Sequence, residues 1–166
     1  MIVGSIKEDL TLEKRVAVTP ETAKNIIALG AGIADGVGLG DNAKAALVSR
    51  GLMEIARLGK HFGANRETFF GLSGAGDLMV TCYSEHSRNR SLGEAIGRGE
   101  YLQDILDKNE KVSEGVWTCK ALNELLPSID VEMPITQEIY SILFEGVEPK
   151  QAVQNLMERP MRAELE

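Results

Sequence analysis

The chain has little that would tie it to a metal, a membrane or a nucleic acid. Two cysteines occur in 166 residues. Cys82 and Cys119 stand alone, with no C-x-x-C and no histidine at ligand spacing, so neither a zinc site nor a disulfide framework is expected and both thiols should be reduced. The longest apolar run, Asn25 to Ala34, is too short to cross a bilayer and carries two glycines. The opening MIVGSIKEDL has no apolar core behind a basic start, and its acidic residues do not suit a transit peptide. A cytoplasmic chain with no membrane partner is expected. Positive charge is scarce as well, with 18 Lys and Arg against 25 Asp and Glu and a net charge of -7. A surface that tracks a phosphate backbone needs the opposite balance, which excludes nucleic acid as a partner and leaves room for a small anion at the one basic neighbourhood, Arg88 and Arg90. Repeats, low-complexity tracts and linkers are missing too.

What is present reads as one folded domain. Charged residues make up 26% and hydrophobic residues 43% of the chain, a globular composition. Strand character is confined to Ile2–Ile6 and Arg15–Val18, both short and β-branched. Unpaired edges there would favour a homo-oligomer. Thr19-Pro20-Glu21 then gives a helix start, and Ala23, Ile26, Ile27 and Gly30 follow at helical spacing, which sets Lys24 among apolar neighbours. Asp41 is placed to cap a second helix with Ala45, Val48, Leu52 and Ile55 as its buried face, Lys60 and His61 in its last turn as dipole partners, and Gly63 as its stop. Further helices are expected over residues 67–71, 74–83, 87–97 and 101–108. Another runs from a Ser113 cap through Trp117, Ala121, Leu122 and Leu125 to Pro127, with Trp117 in the core. Two more are centred on Ile139 and Val153.

The stretch GLSGAGDLMVTCYSEHSRNR, residues 71–90, concentrates the chemistry. Asp77 and Thr81 are four apart and share a helix face, and Ser87-Arg88-Asn89-Arg90 opens a second helix rich in donors. A dianion at such a start gains from free backbone N–H groups, from the helix dipole and from a guanidinium that pairs with two oxygens at once. A small phosphorylated polyol fits this arrangement. A capped turn followed by a solvated basic face fits it too.

Five strings carry a resemblance: KNIIALGAGIADGVGLGDNAKAAL, GLSGAGDLMVTCYSEHSRNRSLGEAIGRG, VSEGVWTCKALNEL, VEMPITQEIYSILFEG and RPMRAE. From about residue 24 to residue 164 the chain resembles the C-terminal helical domain of bacterial NAD(P)-dependent glycerol-3-phosphate dehydrogenase. The resemblance implies a mainly α, multi-helical fold of the 6-phosphogluconate dehydrogenase-like kind, with two short N-terminal β-strands and no complete Rossmann domain. It implies NAD or NADP as cofactor and a phosphorylated three-carbon substrate, dihydroxyacetone phosphate or glycerol 3-phosphate, on the route to glycerophospholipids. Lys24 matches the catalytic lysine that exchanges a proton with the oxygen at the reacting carbon. Asp77 matches the substrate-contacting acid, with Thr81 on its face, and Ser87, Arg88 and Asn89 match the residues that hold glycerol phosphate. Arg88, Val112 and Glu114 match positions that touch the cofactor.

Each of these residues also admits a purely structural role: a snorkelling surface lysine, a helix cap at Asp77, a back-bonded hydroxyl at Thr81 and a first-turn acid at Glu114. The opening MIVGSIKEDLTLEKRVAVTPETAKNIIALG is similar instead to the start of alanine dehydrogenase and of the α subunit of nicotinamide nucleotide transhydrogenase, in which Arg15 would match a carboxylate-binding arginine. That similarity sets a β arm at residues 1–23 before a helical substrate domain at 24–166, a chimera joined within one helix. No G-x-G-x-x-G follows a strand, so most of a dinucleotide's binding surface is lacking and the chain alone is expected to be incomplete as a catalyst. A noncatalytic helical scaffold or association module is the reading from a different class, and alanine dehydrogenase-like activity is a third.

Overall fold

The structure, a computed structural model, describes residues 19–108 and 113–158; both expected strands and Val112 lie outside the described residues. Among the described residues there are eight α-helices and no strand. They are α1 (Pro20–Val37), α2 (Gly40–His61), α3 (Asp77–Tyr83), α4 (Arg88–Gly97), α5 (Leu102–Lys108), α6 (Glu114–Leu125), α7 (Pro134–Phe144) and α8 (Pro149–Glu158). None of them is long and apolar enough to cross a membrane.

Helix α1 is the axis of the domain. Its start is the one expected, with Thr19 Oγ1 accepting from Thr22 N at 3.1 Å and the Thr22 hydroxyl accepting in return from Thr19 N at 2.9 Å. It ends at Gly38, whose φ of 80° is a left-handed conformation open to glycine. Ile26, Ile27, Ala28, Leu29 and Ala31 are fully buried, so the helix is apolar on nearly every side, and α2, α3, α4, α6, α7 and α8 all pack on it.

The contact of α1 with α4 runs backbone to backbone. A Cβ on Gly32 would lie 1.9 Å from the Arg90 carbonyl oxygen, and one on Gly93 would lie 2.0 Å from that of Leu29. One turn further along, Gly36 and Gly97 meet Glu94 and Ile33 in the same way, at 2.3 Å and 2.4 Å. Each helix therefore presents two glycines four residues apart, and the missing side chains set the separation of the helices.

Helix α2 differs from the expectation. It starts at Gly40 with no side-chain cap, and Asp41 lies in its first turn instead of capping it. Ala45 is exposed and Leu52 only half-buried, while Lys44, Val48, Gly51, Glu54, Ile55 and Leu58 face inward. Two of these inward residues are charged, which a search for apolar periodicity cannot anticipate. Both have partners: Lys44 Nζ donates to the two Asp35 carboxylate oxygens at 2.9 and 2.8 Å and lies 4.5 Å from the centre of the Tyr83 ring. Glu54 reaches across to the unprotected start of α7, where it accepts from Ile135 N at 2.6 Å and from Thr136 N and Oγ1 at 3.2 and 3.1 Å. A carboxylate from another helix thus caps an N-terminus whose own cap position, Met133, has no polar side chain to offer. Burial still outweighs these three donors and the nearby Arg57 charge, and the Glu54 carboxyl is pushed up to about 7.

Helix α6 is rotated from its expected face. Trp117 is 45% exposed, and the buried residues are Gly115, Val116, Thr118, Cys119 and Leu122. The cause is Gly115, which sits so close to the Asn25 carbonyl and the Asn89 side chain that only a residue without Cβ fits, and this aims Val116 and Cys119 at the core. Burial pushes the Cys82 and Cys119 thiols up to about 12, so both stay protonated.

Replacing Gly32 or Gly93 with alanine is expected to cost at least about 1–3 kcal/mol, the range for an overpacked core, because the obstacle is backbone; urea unfolding followed by circular dichroism measures it. Glu54 sets a pH dependence. Its proton affinity is higher folded than unfolded, so its stabilising contribution is complete below the ordinary value of 4.5 and is lost as pH rises through about 7. Unfolding midpoints at pH 5 and pH 8 should fall more for the wild type than for Glu54→Gln, whatever the absolute stability of the variant.

Candidate functional site

Four helix ends meet on one side of the domain. The Leu72–Gly76 turn, a single π-helical turn, feeds into α3; Gly74 lies against the Phe69 carbonyl, and the buried Phe69 ring lies against Gly59. With the start of α3 fixed in this way, Asp77 faces α1, and Lys24 Nζ donates to Asp77 Oδ2 across 53 residues of sequence. One turn on, Thr81 Oγ1 donates to the Asp77 carbonyl at 2.7 Å.

Beside this pair is a cavity of about 290 Å³, lined by Asn25 of α1, Val80 and Thr81 of α3, the turn residues Ser84, His86 and Ser87, Arg88 and Asn89 of α4, and Ser113 and Glu114 at the head of α6. That is a size for a small ligand. Thr81, the Ser87-Arg88-Asn89 run and the distant Glu114 thus share one cavity. Lys24 and Asp77 flank it without lining it: Lys24 precedes Asn25 in the chain, and the Asp77 carbonyl accepts from Thr81. Val112 lies outside the described residues.

The hydrogen bonds show how the lining is held. Ser87 caps α4, its Oγ accepting from Arg90 N at 3.3 Å. Asn89 Oδ1 accepts from Gly115 N at 3.0 Å, and Ser113 Oγ, instead of capping its own helix, donates to the Arg88 carbonyl at 3.3 Å. The first turns of α4 and α6 are thereby clamped to each other. Asn25 Nδ2 donates to Glu114 Oε2 at 3.5 Å, a long contact closing the α1 side.

The two arginines that the sequence sets side by side part company. Arg90 turns inward, where Nε and Nη2 donate to Asp35 Oδ2 at 2.8 and 2.7 Å, so it shares that carboxylate with Lys44. Arg88 is exposed at the cavity, and among the described residues its guanidinium has no ion-pair partner. Only one of the two is available to a ligand.

Residues 19–154 match the family described as NAD-dependent glycerol-3-phosphate dehydrogenase C-terminus. The chain belongs to that family. It is 56% identical over 143 residues to a glycerol-3-phosphate dehydrogenase [NAD(P)+] of Exiguobacterium sp. and, over the same length, 56% identical to one of Oceanobacillus iheyensis; each match covers 86% of this chain and 42% of the relative. The crystal structure of glycerol-3-phosphate dehydrogenase from Coxiella burnetii superposes with a TM-score of 0.79 at 43% identity, covering 83% of this chain and 42% of that one. The chain therefore spans about two fifths of the length of these dehydrogenases.

Sequence reasoning missed Asn25, Ser84, His86 and Ser113, which line the cavity of this glycerol-3-phosphate dehydrogenase domain. Asn25 and Ser113 adjoin residues that were singled out, and Ser84 and His86 lie inside the quoted stretch. Nothing in their spacing marks them out, and only the fold brings them to one wall. The division of labour between the arginines is testable by thermal unfolding. Arg88→Ala should leave the midpoint unchanged, whereas Arg90→Ala, which strips a partly buried carboxylate of a partner, should cost about 1–3 kcal/mol.

Proposed function

We propose that this chain is the substrate-holding part of a glycerol-3-phosphate dehydrogenase, acting on dihydroxyacetone phosphate and glycerol 3-phosphate. The Lys24–Asp77 hydrogen bond beside a cavity that takes in Arg88 is the observation that supports the reading best, because it puts an amine and an anion-binding guanidinium at one small site.

The residual hydrogen-bonding capacity of the lining supports it further. Ser87 spends an acceptor on Arg90 N, and Asn89 spends its carbonyl oxygen on Gly115 N. Each keeps a donor, the hydroxyl O–H and the amide Nδ2, and donors beside Arg88 suit a phosphate. Thr81 spends its proton on the Asp77 carbonyl and keeps lone pairs, which suit a substrate hydroxyl. Structural and ligand roles coexist in each side chain, so the bonds that hold the fold also fix the direction of the remaining valences.

Lys24 then exchanges the proton at the oxygen of the reacting carbon, and the Asp77 carboxylate orients the amine. Arg88 pairs with two phosphate oxygens and fixes the opposite end of the three-carbon chain. The nicotinamide cofactor, NAD or NADP, supplies or accepts the hydride when bound. Arg88 and Glu114, which border the cavity, would help to hold the cofactor, and by the family resemblance so would Val112. Among the described residues there is no strand, and so no strand–turn–helix cradle for a pyrophosphate. The domain division at residue 23, the alanine dehydrogenase-like character of residues 1–23, self-association and a cytoplasmic location complete the reading.

Isothermal titration with glycerol 3-phosphate tests it. Weak binding to the wild type is expected, with a loss of at least about tenfold in Arg88→Ala, the scale of a charged hydrogen bond; NAD(P)H alone should bind poorly. Turnover of dihydroxyacetone phosphate with reduced cofactor should rise when a separately produced nucleotide-binding domain is added. If Arg88→Ala leaves every binding property unchanged, the domain is a helical scaffold.

A further inference from the structure

Among the described residues that line the cavity, the two fixed charges are the Arg88 guanidinium and the Glu114 carboxylate, which cancel. The flanking Lys24 and Asp77 cancel as well. A phosphate dianion would thus enter a site whose fixed charges sum to zero. The heads of α4 and α6 compensate only in part, with roughly half a positive charge each.

His86 is the remaining titratable group on the lining. Its backbone is fixed by the His86 N–H donating to Ser84 Oγ at 3.2 Å, and an imidazole changes charge in the physiological pH range. We propose that His86 takes up a proton when the phosphorylated ligand binds, so that the imidazolium and Arg88 hold the dianion together. This rests on the cavity being the phosphate site. The charged groups near the cavity are Arg88 on α4, Lys24 on α1, Glu114 on α6 and Asp77 on α3, with Glu85 next to His86 in the chain but not on the lining; the arriving dianion adds two negative charges to this set. The sign follows directly: a ligand that prefers the protonated enzyme binds more tightly at pH 6 than at pH 8, over and above the ionisation of the phosphate itself.

The chain has two histidines, His61 and His86, so its imidazole proton spectrum has two C2–H signals, which His86→Gln assigns. Each is followed by NMR from pH 5 to pH 9 in the full chain, with and without saturating glycerol 3-phosphate, and again with inorganic phosphate. The titration midpoint of His86 should rise by about one pH unit on saturation, equivalent to about tenfold in affinity between its two protonation states, while that of His61 stays in place. His86→Gln should lose this extra pH dependence of binding, and His86→Lys should keep at pH 8 the affinity that the wild type shows at pH 6. A wild type that binds and an Arg88→Ala that does not, with the His86 midpoint unmoved, overturn the inference and leave the cavity reading standing. Glycerol phosphate that shifts no signal, or binds Arg88→Ala as well as wild type, removes both.

Discussion

The site depends on how closely α1 and α4 approach. Gly32 and Gly36 on one helix and Gly93 and Gly97 on the other leave backbone against backbone, with no side chain to keep the helices apart. That contact sets α4 along α1, so Arg88 and Asn89, at the head of α4, lie on the same side of the domain as Lys24 and Asn25 near the head of α1. A separation larger by one methyl group would move Arg88 and Asn89 away from the Lys24 amine, and the cavity would lose its shape.

Charge pairs lock the arrangement that the glycines permit. Asp35, near the end of α1, takes Arg90 from α4 and Lys44 from α2, and Lys44 lies over the Tyr83 ring at the end of α3. One carboxylate thereby ties α1, α2 and α4 together and, through Lys44, reaches α3. Mostly buried ions of this kind add little net stability, because desolvation offsets their attraction, but they penalise any other packing in which a charge is left alone. Glu54 works in the same way at the start of α7, where it takes two orphan N–H groups that no local residue can cap.

The order of helices was legible in the chain because their punctuation is local. Thr19-Pro20 starts α1, Gly63 and Gly146 stand in left-handed conformations after α2 and α7, Pro149 starts α8, and Ser87 caps α4. Faces were less legible. Lys44 and Glu54 are buried where an apolar stripe was expected, and Trp117 is exposed where a core residue was expected, since Gly115 rather than the large ring determines how α6 turns. The stretch from Asp77 to Asn89 stood out through residue types that bind anions, but Arg90 could not be told from Arg88 by spacing. The two differ in whether Asp35, 55 residues before Arg90, lies within reach.

Composition and local signals alone determined a helical domain of acidic balance, the positions of its breaks, and a short segment rich in residue types that bind anions. Those properties reside in single residues and their near neighbours, which the chain states outright. Tertiary structure decided that Lys24 meets Asp77, that Arg88 and not Arg90 faces the cavity, and that Asn25, His86 and Ser113 join its wall. These are contacts between residues far apart in the chain, and they follow from helix separations and rotations that four glycines and a few buried charges fix only once the helices have packed.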